Sequence, residues 1–147
     1  MTSDQFFDQN NKKFDFIFID GMHTYEQVHV DIKNSIDALN PGGWIAIHDL
    51  MPRSWIEAHV PNISQGAWSG DVWKVAFELL KTEGISFRIV MIDAGVGVFK
   101  VKNPKSIKLL DDRKLLKDSA FNYFCKNLDL LPRISWEEFA LWSSELG

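Results

Sequence analysis

Two short, almost unbroken apolar runs constrain this chain more than anything else in it. Phe14-Asp-Phe-Ile-Phe-Ile-Asp20 and Trp44-Ile-Ala-Ile-His48 are too short for buried helices and read as strands covered on both faces. Between them the apolar residues Tyr25, Val28, Ile32, Ile36 and Leu39 fall at helical spacing and define one face. Thr24-Tyr-Glu-Gln27 has the form of a capping box, with Thr24 as N-cap and Gln27 reaching back. Asn40-Pro-Gly-Gly43 ends the helix, because proline lacks a donor and glycine accepts left-handed angles. A helix joining two strands makes them parallel.

The pattern then changes. Leu50 to Ser69 reads as a long loop containing Pro52 and Pro61, and a second helix runs from Gly70 or Asp71 to about Glu83, where Gly84 stops it. Residues 85–93 and 96–102 read as strands joined by Asp93-Ala-Gly95, and so tight a turn makes them antiparallel. The stretch from Met91 to Val98 imitates a glycine-rich nucleotide loop. Such a loop needs a helix next, whereas Val98-Phe-Lys-Val101 alternates as a strand, so a plain hairpin is expected. From Pro104 to Gly147 the pattern is helical, through leucine-rich stretches at 107–117 and 120–131. Ser135-Trp-Glu-Glu138 is a capping box opening a helix that carries Trp136, Phe139 and Trp142. The expected organisation is an α/β unit over 1–103, with a helical extension, 104–147, packed on it.

Composition narrows the function classes. At 147 residues, 46% apolar and 13% aromatic, the chain suits one domain with a real core. Its net charge is -4 and its basic residues are scattered, apart from Lys12-Lys13, Lys100/Lys102 and a mixed stretch from Lys105 to Lys117. That argues against a nucleic-acid backbone as partner. No apolar run is long enough to span a membrane, and the polar N-terminus is not a signal peptide. The single cysteine, Cys125, cannot form an internal disulfide and suits a reducing compartment, so a cytoplasmic protein is expected. Set among Phe121, Phe124 and Leu128, Cys125 is expected to be buried.

Chemistry concentrates just past the two strands, where ligands bind in open α/β sheets. Asp20-Gly-Met-His23 follows the first, and His48-Asp49 ends the second. Neighbouring strands lie about 5 Å apart, so Asp20, His48 and Asp49 can converge on one point. Two carboxylates and an imidazole suit a divalent cation, with magnesium or manganese favoured by the oxygen ligands. His23, on the turn, faces the same point as a general base. His29 and His59, on a helix and in a loop, are read as having no acidic partner and are expected to face solvent.

Phe14-Asp-Phe-Ile-Phe-Ile-Asp-Gly-Met-His-Thr-Tyr25, Asp31, and Leu39-Asn-Pro-Gly-Gly-Trp-Ile-Ala-Ile-His-Asp49 together resemble the second half of a class I S-adenosylmethionine-dependent methyltransferase. The branch is that of metal-dependent sugar O-methyltransferases and cephalosporin-hydroxylase-like proteins. Gly70-Asp-Val-Trp-Lys74 is similar to its next helix start. The resemblance implies a partial Rossmann-like α/β sheet, with strands equivalent to 4, 5, 7 and 6 of the family's 3-2-1-4-5-7-6 order. It also implies O-methyl transfer to a small-molecule or sugar hydroxyl, Asp20, His48 and Asp49 at the metal, and His23 as base. His48 departs from the pattern, which carries glutamate there. The family's glycine-rich cofactor loop and ribose-binding acid have no counterpart before Phe14. A truncated half, inactive in isolation, is therefore expected, with no cofactor-binding residue assigned. The alternative is a non-catalytic α/β module that oligomerises or completes a partner chain. In the full family sheet the strand at 14–20 is paired on both sides. Here it presents a long apolar edge, Phe14 to Asp20, through which a homo-oligomer is expected.

Overall fold

A computed structural model describes all of residues 1–147. The first apolar run forms β1 (Phe14–Ile19) and the second forms the end of β2 (Leu39–Ile47), with α2 (Tyr25–Asp37) between them. β1 and β2 are parallel, and their register shifts between Phe14 and Phe16, where Asn40-Pro-Gly-Gly43 adds residues to β2. β3 (Ile85–Val90) and β4 (Val96–Val101) form the antiparallel hairpin, with β4 inserted beside β2. A two-residue strand, β5 (Arg133–Ile134), adds parallel to β3. The sheet order is β1-β2-β4-β3-β5, whose first four strands follow the expected 4-5-7-6 order in a partial Rossmann-like α/β fold. β5 has no sequence signal of its own.

Strand alternation sends side chains to two unlike faces. Ile19, Ile45, Ile47, Ile89, Phe99 and Val101 join the main core with Val28 and Ile32 of α2 and Val75 and Phe77 of α3 (Lys74–Lys81). The segment beyond Pro104 lies on both faces. Leu116 of α4 (Arg113–Leu116) and Phe124 of α5 (Phe121–Asn127) enter the main core. On the opposite face Phe139 and Trp142 of α6 (Trp136–Glu145) pack against Ala46, Val90 and Val98. The Ser135–Glu138 capping box forms as the sequence requires.

Several local expectations are corrected. The residues before Phe14 contain a helix, α1 (Ser3–Gln9), opened by a Thr2–Gln5 capping box. The capping box expected at Thr24 and Gln27 does not form. Asp71 Oδ1 instead accepts from the Tyr25 amide at 2.7 Å, and Gln27 turns to Asp4 and Asp31. An acceptor brought in from another element thus replaces the local one. The second helix starts three or four residues late, at Lys74, because residues 71–73 lead into it by tight i→i+3 turns, the Lys74, Val75 and Ala76 amides donating to the Asp71, Val72 and Trp73 carbonyls. Cys125 is exposed rather than buried, since α5 turns Phe124 inward and Cys125 outward. No helix is long and apolar enough to cross a membrane.

Candidate metal centre and active site

The turn after β1 and the end of β2 meet at one edge of the sheet, and the four polar residues meet with them. His23 Nε2 lies 3.7 Å from Asp20 Oδ1 and 3.2 Å from Asp49 Oδ2. His48 Nδ1 lies 3.5 Å from Asp20 Oδ1 and 3.2 Å from Asp49 Oδ2. Two imidazoles therefore flank the same two carboxylates. Single ligand atoms of Asp20, His23 and Asp49 all fall within 4.8 Å of one another, close enough to share one cation.

Each residue is held by a different device. Asp49 adopts φ 66°, in the left-handed region, and is only 6% exposed. Burial pushes its carboxyl above the ordinary range, against the opposing pull of His48 and His23. On His48, burial disfavours charge. The hydrogen bond to Asp93 and the fields of Asp49 and Asp20 outweigh it, so its pKa lies above the usual imidazole value. His23 is fixed from outside the cluster. Its Nδ1 lies 2.6 Å from the Trp68 carbonyl and its ring stacks on Trp68, with centroids 5.3 Å apart. Gly70 permits this docking of the loop, because a Cβ there would overlap the His23 carbonyl.

Asp93 is the member that strand reading missed. Its Oδ2 lies 2.8 Å from His48 Nε2. The signal was available: β4 runs antiparallel to β2, so the Asp93 turn must fall at the edge where β2 ends. The expected hairpin is present, and its backbone reaches back to the chain after Asp49. The Leu50 amide donates to the Gly95 carbonyl at 3.1 Å, and the Met51 amide to the Ala94 carbonyl at 2.7 Å.

The other two histidines lie outside this cluster. His29 is not exposed, as its sequence neighbours suggested. It is 4% accessible, and its Nδ1 is 2.7 Å from Glu78 Oε2, 49 residues away. Glu78 is fully buried and also accepts from the Tyr25 hydroxyl at 2.7 Å and the Asp112 amide at 2.8 Å. That hydrogen bond and burial together hold the Tyr25 hydroxyl far above its usual pKa, burial being the larger cause. His59 is half-buried against the Pro61 carbonyl at 2.8 Å. It lines a cavity of about 1070 Å³ with Trp55, Trp73, Lys74, Phe121 and Cys125. The loop from 54 to 70 serves both places: Trp68 Nε1 donates to the His59 carbonyl while its own carbonyl meets His23.

Residues 1–50 match the family model described as "Methyltransferase domain". The match covers 50 of the 147 residues. The match runs from α1 through β2 and includes Asp20, His23, His48 and Asp49, so the cluster lies within the methyltransferase-matching segment. No curated protein matches the chain.

Proposed function

We propose that the protein is an S-adenosylmethionine-dependent methyltransferase acting on a hydroxyl of a small molecule or sugar. In this reading Asp20, His48 and Asp49 hold a divalent cation and His23 is the general base. The carrying observation is that two carboxylates and two imidazoles converge at the carboxyl edge of β1 and β2, inside the segment that matches a methyltransferase domain. The donor set fits a divalent ion, and the buried Asp49 carboxylate, disfavoured as an anion by burial, is what a cation offsets. When bound, such an ion lowers the pKa of a substrate hydroxyl. His23 does the rest from its own geometry. With Nδ1–H donating to the Trp68 carbonyl, Nε2 is left as an acceptor facing the cluster, placed to take the hydroxyl proton. Methyl transfer is then governed largely by positioning. S-adenosylmethionine enters on the family match alone: the Asp93–Gly95 turn makes a hairpin and offers no helix N-terminus to a cofactor.

The test is methyl transfer from labelled S-adenosylmethionine by the native protein and by its His23→Gln and Asp20→Asn variants; no turnover by the native chain alone favours the non-catalytic reading. Loss of a general base lowers the rate by about 10²–10⁴-fold. Transfer that survives both substitutions unchanged overturns the assignment. A second reading, assembly of the chain with its own copy, is favoured by a separate observation, the one-sided pairing of β1 with Phe16 and Phe18 exposed beside it.

A further inference from the structure

We propose that Asp93 is a positioning residue that presents His48 to the cation through Nδ1, making the centre a mixed nitrogen and oxygen site that prefers a transition-metal ion to magnesium. This rests on the metal-centre reading above and adds to it a residue, a ligand atom and a class of metal.

The two imidazoles of the cluster are backed differently. His48 has a carboxylate on its outer nitrogen, with Asp93 Oδ2 2.8 Å from Nε2. His23 has a neutral carbonyl on its outer nitrogen, from Trp68. A carboxylate behind an imidazole holds the proton on the outer nitrogen, fixes the ring and makes the inner nitrogen the more electron-rich donor. For His48 that inner atom is Nδ1, which lies within 3.5 Å of Asp20 Oδ1 and Asp49 Oδ2. His48 is thus the better ligand, and His23, backed by a weaker acceptor, keeps its Nε2 for a substrate proton. The two rings present opposite nitrogens to the cluster.

Asp93 is placed by backbone, not by chance of a surface rotamer. Two main-chain hydrogen bonds tie Ala94 and Gly95 to Met51 and Leu50, immediately after Asp49. A Cβ on Gly95 would overlap the Met51 side chain, so the hairpin tip sits hard against that segment. Asp93 itself takes φ 48°, a region that aspartate tolerates better than most residues. The side chain is 75% exposed, so nothing in the core requires its charge.

The class of metal follows from the donors. Magnesium prefers near-octahedral oxygen and retains several waters. The two carboxylates by themselves suit magnesium or manganese, and the imidazole nitrogen beside them turns the preference towards iron, nickel or zinc.

Calorimetric titration of the full chain with Zn²⁺ and with Mg²⁺, joined to ¹⁵N NMR of the zinc-loaded protein, tests this. Zinc is expected to bind more tightly than magnesium, on His48 Nδ1, with the proton on Nε2. Asp93→Asn is expected to weaken zinc by about 10–100-fold with the fold intact by circular dichroism. His48→Gln should weaken zinc at least as much, while His23→Gln should leave it nearly unchanged. Unchanged zinc affinity in Asp93→Asn, zinc on His23 in place of His48, or equal affinity for magnesium overturns the inference and leaves the metal centre standing. A wild-type chain that binds neither ion overturns the metal centre and this inference with it.

Discussion

Asp49 and His48 are adjacent in sequence and opposite in what their charges do to the fold. Burial raises the Asp49 carboxyl above its unfolded value. Its contribution to stability is therefore fully present below the unfolded pKa and is lost as pH rises through the folded one. At pH 7 the ionised group costs stability in the ion-free protein. Asp49→Asn is expected to raise the melting temperature there. The gap should shrink as pH falls below the ordinary carboxylate range. Asparagine also accepts the left-handed backbone at φ 66°, but that part of the gain does not vary with pH. An asparagine variant that melts no higher than wild type at pH 7 sinks the idea. For His48 the hydrogen bond to Asp93 and the fields of Asp49 and Asp20 outweigh burial and raise the pKa. That stabilisation is fully present below the unfolded imidazole value and disappears as pH rises through the raised one. Asp93→Ala should accordingly lower the melting temperature more at pH 6 than at pH 9, and equal losses at both would show that the pairing carries no proton-linked stability.

At the scale of elements, α3 acts as a clamp. Lys74, Glu78 and Thr82 lie four residues apart, on one stripe of the helix and its C-cap. Each bonds the backbone of the segment that crosses it: Lys74 Nζ to the Lys117 carbonyl, Glu78 to the Asp112 amide, and Thr82 to the Leu110 amide. Glu78 is the centre of this clamp because it also holds Tyr25 and His29 of α2. Removing one partner of a buried charged network leaves the others unpaired, so Glu78→Ala should cost about 3–5 kcal/mol in urea unfolding. Amide exchange should quicken first at 110–117; a loss under about 1 kcal/mol would mean the network is dispensable. This clamp also marks where sequence reading stops. β1, α2, β2 and the β3–β4 hairpin were legible because their signals are periods of two and 3.6 and turn residues, all within a few positions of one another. The cluster was legible for the same reason, since Asp20, His23, His48 and Asp49 all sit at strand ends. The partners of His29 and of the Tyr25 amide were not, because Glu78 and Asp71 lie some 46 to 49 residues away and only folding brings them near. Asp93 falls between: no local pattern marks it, but the strand order predicts its edge.

At the scale of the molecule, the sheet is closed unequally. Its β5 end is capped by two residues and covered by α6, whereas β1 pairs only with β2. Phe16 and Phe18 project from β1 away from the main core and are 59% and 51% exposed. Beside them Phe16, Trp44, Val98 and Phe139 line an apolar cavity of about 450 Å³, so the exposed edge continues into an exposed face. From Phe14 to Ile19 there is no lysine or proline, the residues that keep an edge strand from pairing. A second copy satisfies both features at once. Antiparallel pairing about a two-fold axis at Ile17 sets Phe16 of one copy opposite Phe18 of the other, on the face where the cavity lies, and each strand fills the other's free hydrogen-bonding row. The expected outcome is a light-scattering mass of at least twice 16.9 kDa at micromolar concentration. Phe18→Lys should return the chain to a single mass, because a lysine at that position places two charges across the axis and removes the largest apolar contact. A wild-type mass near 16.9 kDa removes the proposed assembly. A dimer that survives Phe18→Lys puts its interface elsewhere, for which the exposed Trp136 and Leu141 of α6 are the next surface to substitute.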